Sequence, residues 1–459
     1  MNKASLPLPP AGQGRGEGVS TRSESNQSPL RIGIAGLGTV GAGVLKLLHD
    51  NGPLVTARAG RPLQVTAVSA RDRTRDRGID TTALNWHGTA ADLAHDPAVD
   101  VVVELIGGSE GPARTLVEAA LAAGKPVVTA NKALLAVHGT ALAAAAARAN
   151  TALAFEAAVA GGIPVIKALR EGLAGNRIDR IAGILNGTCN YILTTMREEG
   201  REFADVLADA QRLGYAEADP SFDVDGIDAA HKLAILAALA FNRPVDFASV
   251  HVEGIRTVSA IDIALADELG YRIKLLGIAR RTPHGDGFGI ETRVHPCMVP
   301  LSAPIARVEG VFNAVVAEGD ACGRVMLEGR GAGAGPTASA VVADLVDLAR
   351  NRHTPVWGAD EADLSHAPAV PMSAHAGCYY LRLMVLDRPG VIADVTAALR
   401  DAGVSLESML QRGRAPGEAV PVVLVTHETN ETAIRHALAT ISALDTITEP
   451  PALIRIEPA

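Results

Sequence analysis

The stretch "LRIGIAGLGTVGAGV", residues 30–44, is a short apolar strand that runs through a glycine-rich turn into a helix. Gly36, Gly38 and Gly41 have the spacing G-x-G-x-x-G. In such a turn the first glycine makes the bend, the second lets a pyrophosphate touch the backbone, and the third lets helix and strand pack closely. The free N–H groups at the helix start then face the phosphates. Because the motif follows a strand and opens a helix, it predicts a dinucleotide-binding domain.

The composition is that of a globular protein and argues against several classes of function. The chain has 459 residues, of which 48% are hydrophobic and 20% charged, and is long enough for two or three domains. Its net charge of −9 argues against a nucleic-acid partner. No apolar run reaches the roughly 18–20 residues of a membrane span, so no membrane partner is expected. The four cysteines lack metal-ligand or disulfide spacing, which favours a cytoplasmic location.

The order of apolar segments predicts an α/β protein. Apolar strands alternate with helices and lie at 30–37, 63–70, 99–106 and 125–130, the last three rich in Val. This alternation predicts a parallel sheet with both faces covered, a Rossmann domain over 30–155. We expect a disordered tail at 1–29 and a less regular α+β domain for substrate binding and dimerisation at 156–350. The last helix of that domain follows a glycine-rich loop and is expected to return to the Rossmann domain.

The C-terminal part reads as a separate small domain. Residues 351–375 carry Pro, His and Asp with little periodicity and are expected to be a linker. Strand and helix patterns over 376–459 follow the order βαββαβ, which predicts a ferredoxin-like sandwich. Asn430 is expected to cap the second helix of this domain.

The end of the second strand bears on the choice of cofactor. An acidic residue there binds the ribose of NAD, whereas an arginine accommodates the 2′-phosphate of NADP. The strand ends "SARDR", with Arg71 followed at once by Asp72. We expect NADP, and NAD remains the alternative.

The acidic stretch "EADPSFDVDGIDAAHK", residues 217–232, is the second unusual feature. It does not fit a calcium loop, because Lys232 stands where the bidentate glutamate would be if Gly226 were the sixth position. Asp228 and Lys232 are four residues apart and share one helix face. From this segment alone, Lys232 either extends its charge to solvent from an apolar helix or holds a proton in a site.

Cys189 offers a different chemistry. It lies in the segment "GILNGTCNYIL", residues 183–193, which reads as a Gly/Asn loop after a strand. Acylating aldehyde dehydrogenases use a thiolate in such a loop, although an activating base or cation must lie beside it. The alternative is a small buried side chain.

Five segments together carry a family resemblance. They are "GLGTVG", "TANKALLA", "EAAVAGGIPVI", "GILNGTCNYIL" and "GYAEADPSFDVDGIDAAHKLAIL", in this order along the chain. Over roughly residues 30–350 the chain resembles homoserine dehydrogenase. The resemblance implies reversible reduction of L-aspartate 4-semialdehyde to L-homoserine with NAD(P)H, within threonine, methionine and isoleucine biosynthesis.

The resemblance also implies a role for each residue of the substrate site. Lys232 corresponds to the proton donor, and Asp228 to the acid that orients the reacting hydroxyl. Glu217 corresponds to the residue that holds the substrate's ammonium group. Lys132 corresponds to the lysine between nicotinamide and substrate, and Asp223 to a further substrate contact. A lysine beside the carbonyl oxygen can neutralise and protonate the charge that hydride transfer leaves there.

Two more sets of residues follow from the same resemblance. The cofactor set consists mainly of glycine-loop residues and comprises Gly36, Gly38, Thr39, Val40, Gly41, Arg71, Lys132, Gly187 and Gly333. The second set forms a monovalent-cation site, typically for sodium, and comprises Glu156, Val159, Gly161 and Ile163. In this family frame Cys189 lies near the nicotinamide and is not a nucleophile.

The stretch "DRPGVIADVTAALRDAGVSLESMLQ", residues 387–411, resembles an ACT domain. ACT domains bind amino acids and usually pair side by side, which implies threonine as effector and a homodimer or homotetramer. Gly390 opens the first helix to a ligand, and Asp387 is the candidate for its ammonium group. The alternative is a domain that serves only as a subunit contact.

Two other functions remain as alternatives. An amino-acid-sensing protein with an inactive dehydrogenase body is expected to have lost the catalytic positions, yet Lys132, Glu217, Asp228 and Lys232 are present. A bifunctional kinase–dehydrogenase is disfavoured because the first Rossmann strand begins near residue 30.

Overall fold

The computed structural model describes residues 28–411 and 415–458. The tail predicted at 1–29 therefore lies outside the described residues, apart from its last two positions. No helix in the described part of the chain is long and apolar enough to cross a membrane.

The first unit is a parallel sheet with helices on both faces. Its elements, in chain order, are β1 (Leu30–Ala35), α1 (Thr39–Asp50), α2 (Gly52–Ala59), β2 (Leu63–Ser69), β3 (Asn85–Trp86), α3 (Asp92–His95), β4 (Val101–Glu104), α4 (Pro112–Ala122), β5 (Val127–Thr129), α5 (Lys132–Arg148) and β6 (Leu153–Ala154). The strand order is β3-β2-β1-β4-β5-β6, which confirms the predicted Rossmann fold. The central strand β4 is buried along its whole length, because helices cover both sides of the sheet.

The second unit is a mixed sheet packed against helices. Its elements, in chain order, are α6 (Val165–Lys167), β7 (Ile178–Ile184), α7 (Gly187–Glu199), α8 (Phe203–Arg212), α9 (Ser221–Val224), α10 (Ile227–Ala240), β8 (His251–Val252), α11 (Ala260–Glu268), β9 (Tyr271–His284), β10 (Gly287–Pro300), β11 (Phe312–Gly319), β12 (Gly323–Arg330), α12 (Ala334–Ala349) and β13 (Ala369–Val370). The main strand order is β12-β11-β7-β9-β10, and α10 lies against β7, β9 and β10. This places the helix that carries Asp228 and Lys232 in the core of the unit.

Two connections tie the second unit to its neighbours. Helix α12 packs on α1, where a methyl group on Gly43 would lie 2.6 Å from the carbonyl oxygen of Ala334. The connecting stretch 351–375 lies against the body of the protein. Within it, Trp357 is buried beside the ring of Phe155 at 5.2 Å, and β13 pairs with β10.

The third unit is an antiparallel sheet with two helices. Its elements are β14 (Ala376–Leu386), α13 (Val391–Asp401), β15 (Leu406–Gln411), β16 (Ala419–Thr426), β17 (Thr429–Asn430), α14 (Glu431–Ser442) and β18 (Ala452–Ile456). The strand order β18-β14-β16-β15 confirms the predicted ferredoxin-like fold. Asn430 caps α14 by accepting a hydrogen bond from the amide of Ala433 at 2.7 Å.

The third unit is continuous with the second, which the sequence did not predict. Strand β18 pairs in parallel with β10, with Arg455 opposite Cys297. The two sheets thereby join into one of twelve strands. The position of the C-terminal unit is therefore fixed by backbone hydrogen bonds to the second unit.

Candidate active site

Helix α10 carries the centre of the site. Asp228 and Lys232 lie on successive turns, and both are buried. The Lys232 ammonium donates hydrogen bonds to Asp228 Oδ2 and to the carbonyl oxygen of Leu185, each at 2.7 Å. Since Lys232 is only 8% exposed, its charge stays inside the protein, which excludes the interpretation that it extends to solvent.

Lys132 reaches the same carboxylate from the Rossmann domain. It is the first residue of α5, and its Nζ lies 3.1 Å from Asp228 Oδ1. Asn131 fixes this helix start by accepting a hydrogen bond from the amide of Leu134 at 3.1 Å. Two domains therefore meet at Asp228. Lys132 can reach it because α5 begins at the carboxyl end of β5, the edge of a parallel sheet where ligands bind.

Asn186 is a site residue that the sequence reasoning missed. Its side-chain amide donates to Asp223 Oδ1 at 2.8 Å and to Asp228 Oδ2 at 2.7 Å. Its oxygen accepts from the amide of Cys189 at 2.8 Å, so the same side chain caps α7. The available signal was an asparagine directly before a helix, a frequent capping residue.

The surroundings of the cluster shift the pKa values of its two aspartates in opposite directions. Burial alone would raise the pKa of Asp228, but the ammonium groups of Lys232 and Lys132 outweigh it and hold that pKa well below its ordinary value. Burial raises the pKa of Asp223, although the hydrogen bond from Asn186 opposes this. Asp228 is therefore the permanent anion of the site.

Glu217 begins the substrate segment, which we define as residues 217–228. Its side chain is exposed and has no hydrogen-bond or ion-pair partner among the described residues. Its carbonyl oxygen accepts from Gln211 Nε2 at 3.0 Å. The carboxylate is thus available to an external ammonium group.

Cys189 lies in the first turn of α7, not in the loop that the sequence indicated. Asn186 caps that turn and draws the cysteine into the helix. The side chain is fully buried, and its Sγ lies 3.2 Å from the carbonyl oxygen of Asp223. Burial, with Asp223 and Asp228 nearby, raises the pKa of the thiol well above its ordinary value. These surroundings disfavour a thiolate.

The glycine loop fits a dinucleotide. Gly36 has a φ of +97°, and a methyl group there would lie 2.5 Å from the carbonyl oxygen of Leu105. A methyl group on Gly41 would lie 2.1 Å from the carbonyl oxygen of Gly36. The start of α1 has no side-chain cap, so the amides of Thr39 and Val40 have no hydrogen-bond partner in the described part of the chain. Free amides at an exposed helix start suit phosphate oxygens.

The other cofactor candidates lie in three different parts of the structure. Gly333 precedes α12, which touches α1 directly, and Gly187 opens α7 next to Asn186. Arg71 is exposed after β2. The sequence reasoning missed Arg77, whose Nε donates to the carbonyl oxygen of Leu37 at 3.1 Å and so lies at the glycine loop.

The predicted cation residues form a buried loop between the Rossmann and second domains. The carbonyl oxygens of Val159 and Gly161 accept no hydrogen bond from the described residues, although both residues are buried. The Glu156 carboxylate instead accepts from the amides of Ile166 and Lys167, each at 2.9 Å. Burial and the nearby Asp344 raise the pKa of Glu156 to about 7.

The two effector candidates lie beside a cavity of about 420 Å³ in the C-terminal unit. Gly390 has a φ of +97° and begins α13. Asp387 already accepts a hydrogen bond from the amide of Ala415 at 2.8 Å through one oxygen. Among the described residues, its other oxygen accepts no hydrogen bond.

Comparison with known proteins assigns this architecture. A family model described as "Homoserine dehydrogenase" matches residues 164–346. A model of its NAD binding domain matches 36–156, and a model of the ACT domain matches 379–446. A homoserine dehydrogenase of Pseudomonas aeruginosa is 49% identical over 436 residues, which cover 94% of this chain and 99% of that protein.

The chain belongs to the homoserine dehydrogenase family.

Solved structures agree with this assignment. A homoserine dehydrogenase from Thiobacillus denitrificans is 48% identical with a TM-score of 0.88, covering 94% of this chain and 99% of that one. A hyperthermophilic archaeal homoserine dehydrogenase in complex with NADPH is 28% identical with a TM-score of 0.61, covering 72% of this chain and 100% of that one. The protein is an oxidoreductase with an NAD-binding domain, a catalytic domain and an ACT domain, as its sequence predicted.

Replacing Asp228 is expected to destabilise the fold in a pH-dependent way. Asp228→Asn leaves two ammonium groups without their shared anion. This should lower the free energy of unfolding by about 3–5 kcal/mol at neutral pH. Because the folded pKa of Asp228 is lowered, its stabilisation is present above the unfolded pKa of about 3.9 and is lost as pH falls through the folded value. Urea unfolding of parent and variant from pH 7 downward should show the difference shrinking below about pH 4. The exposed Asp401→Asn is the control, and a pH-independent difference would contradict the charge-based account.

Replacing Cys189 is expected to leave catalysis intact. Cys189→Ser keeps a donor toward the carbonyl oxygen of Asp223 and should retain oxidation of L-homoserine within about threefold, because a buried, protonated thiol is no nucleophile. Steady-state assays before and after treatment with iodoacetamide check this. A loss of activity of about a hundredfold or more in the variant would instead support Cys189 as a nucleophile that forms a thioester.

Proposed function

We propose that the protein catalyses the reversible NAD(P)H-dependent reduction of L-aspartate 4-semialdehyde to L-homoserine. The arrangement of Lys232 and Lys132 around the buried Asp228 carries this proposal. It places two proton-bearing groups and one fixed anion at the boundary between the cofactor domain and the substrate segment. This is a suitable setting for charge that develops on a carbonyl oxygen.

The donors and acceptors of the cluster leave room for a substrate. A lysine ammonium has three donors, and Lys232 uses two of them within the described chain. A carboxylate has about four acceptor positions, and Asp228 uses three, toward Lys232, Lys132 and Asn186. One donor and one acceptor thus remain for a single oxygen atom of the substrate.

The reaction follows from these free positions. A nicotinamide cofactor held at the glycine loop would supply the hydride to the aldehyde carbon. The third N–H of Lys232 stabilises the resulting oxyanion and gives it a proton, while Asp228 accepts from the hydroxyl that forms. Glu217 and Asp223 hold the substrate's ammonium group, and Lys132 lies between cofactor and substrate.

We favour NADP as the cofactor, bound by the predicted glycine-loop residues, Lys132, Gly187 and Gly333. Asp72, the acid that would favour NAD, is engaged in its own turn, where Oδ1 accepts from the amide and hydroxyl of Thr74 at 2.8 and 2.7 Å. Arg71 is exposed, and Arg77 lies at the glycine loop. Two arginines beside the loop suit a 2′-phosphate.

We also propose a monovalent cation, typically sodium, at Glu156, Val159, Gly161 and Ile163. The carbonyl oxygens of Val159 and Gly161 lack donors among the described residues, and a cation would satisfy them, whereas that of Ile163 already accepts from the amide of Val165 at 2.8 Å. Among the described residues, Lys167 lies 3.3 Å from Asp344 and acts on both neighbouring carboxyls, Glu156 and Asp344, while Arg170 acts on Asp344 as well. Their excess negative charge favours a bound ion.

Several further features belong to the same proposal. The enzyme would act in the cytoplasm as a homodimer or homotetramer, within threonine, methionine and isoleucine biosynthesis. Residues 30–155 would bind the cofactor and 156–350 the substrate and a second subunit, with 351–375 as connection. The ACT domain at 376–459 would bind threonine near Asp387 and Gly390 and inhibit the enzyme.

The reaction is tested by replacing Lys232. Lys232→Ala is expected to lower reduction of NADP⁺ with L-homoserine by about 10²–10⁴-fold, because the oxyanion loses its proton donor. Absorbance of the reduced cofactor gives the rate, and NADPH fluorescence should show that cofactor binding is retained. The exposed Lys46→Ala is the matched control. Full activity in the Lys232 variant would refute the mechanism, and an inactive parent protein would refute the reaction.

The regulation is tested with threonine itself. L-Threonine is expected to lower the activity of the parent protein, and Asp387→Asn should weaken the effect, because a neutral amide binds an ammonium group less well than a carboxylate. Asp401→Asn, an exposed change in the same domain, should leave the effect unchanged. Inhibition curves for the three proteins give the comparison. An unaffected parent would leave the C-terminal domain as a subunit contact.

A further inference from the structure

A partly buried ion pair joins the C-terminal domain to the catalytic domain. Arg455 of β18 is 1% exposed and binds both oxygens of Glu253, with Nη1–Oε2 and Nη2–Oε1 distances of 2.7 and 3.0 Å. On its other side Arg455 Nε donates to Glu431 at 3.0 Å. A guanidinium bound in this two-pronged way holds its partner in a defined direction as well as position.

The chain that leaves Glu253 runs directly against the substrate segment. We call residues 253–256 the junction segment. The amide of Glu253 donates to the carbonyl oxygen of Val294 in β10 at 2.7 Å, and the amide of Ile255 donates to that of Val224 at 2.9 Å. The junction segment is therefore hydrogen-bonded to the sheet at one end and to α9 two residues later.

Gly254 allows the closest approach between the two segments. A methyl group there would lie 2.3 Å from the carbonyl oxygen of Val224 and 2.5 Å from Cα of Asp225. Both are backbone atoms and cannot rotate away. The backbone of Gly254 is outside the left-handed region, so space alone requires a glycine at this position.

Arg256 completes the contact from the exposed side. It pairs with the carboxylate of Asp225 and donates to Ser221 Oγ at 3.1 Å. Asp223 and Asp228 flank Asp225 in the chain and are the two acids that Asn186 binds. The junction segment thus touches the substrate segment between its functional side chains.

We propose that Glu253, Gly254 and Arg256 are positioning residues, through which the last strand of the C-terminal domain holds the substrate segment in its binding geometry. The C-terminal domain is then part of the substrate site as well as a sensor. The proposal rests on the proposed role of residues 217–228 in binding substrate. It predicts an effect on substrate binding and none on the cofactor, whose glycine loop lies in the first domain.

The first test replaces Gly254. Gly254→Ala is expected to raise KM for L-homoserine about tenfold, because the displaced segment binds substrate less well. The kcat and the cofactor affinity should stay within about twofold, because α10 keeps its place in the core. Gly287→Ala is the matched control, since a methyl group there meets no described atom within 4 Å. An unchanged KM in Gly254→Ala would overturn the proposal.

The second test uses changes that the fold tolerates. Arg256 is half exposed, so Arg256→Ala removes its contacts with Asp225 and Ser221 without opening a cavity, and it should raise KM several-fold. Arg400→Ala, which breaks another exposed ion pair, is the control and should leave KM unchanged. Hydrogen exchange of the Glu253→Gln protein should show faster exchange over 221–228. Faster exchange confined to the C-terminal domain would overturn the proposal. Exchange needs no substrate, so a parent protein without the proposed activity would refute the reaction and leave this test standing.

Discussion

The buried carboxylate of Asp228 is the constraint on which the site depends. An unpaired carboxylate at 4% exposure would be costly, and its pKa would rise until it accepted a proton. It stays ionised because Lys232, Lys132 and Asn186 surround it, from α10, the Rossmann domain and the cap of α7. Lys232 and Asn186 belong to the same unit as Asp228, whereas Lys132 comes from the Rossmann domain, so the anion gains its full set of partners only after the two domains have assembled. The geometry of the proposed catalytic cluster therefore depends on the assembly of the two domains.

Local patterns made much of this predictable, and long-range pairing set the limit. The glycine loop, the strand–helix alternation and the four-residue spacing of Asp228 and Lys232 are all contained in short windows. Asn186 bonds to Asp228 across 42 positions, and Arg77 reaches the glycine loop across 40, so neither contact has a local signal. Cys189 was misplaced in a loop because Gly187 reads as a loop residue, whereas the Asn186 cap starts the helix there. The pairing of β10 with β18 was likewise invisible, since parallel pairing leaves no turn signature.

The contacts between the catalytic and C-terminal domains are ionic as well as apolar. Besides Arg455 and Glu253, Arg382 of β14 donates to the fully buried Asp262 of α11 at 2.7 Å. Buried ion pairs add little net stability, because removing the charges from water costs about as much as the attraction returns. Such pairs do penalise every domain arrangement that separates the two charges. A hydrophobic contact tolerates sliding, whereas these pairs favour one relative position of the domains. This suits the proposed role of the C-terminal domain in positioning the substrate segment.

Glu156 fixes the chain segment that passes from the first domain to the second, through its backbone amide and through its carboxylate. Its amide donates a hydrogen bond to Asp344 of α12 at 2.9 Å. Its carboxylate accepts hydrogen bonds from the amides of Ile166 and Lys167, which follow the loop of Val159 and Gly161. A carboxyl group with a pKa of about 7 is partly protonated near neutral pH, and a neutral acid accepts such hydrogen bonds less well. A cation on the adjacent carbonyl oxygens would favour the ionised form and so strengthen both bonds. With the proposed cation bound, one side chain would link ion binding to the rigidity of the connection between the two domains.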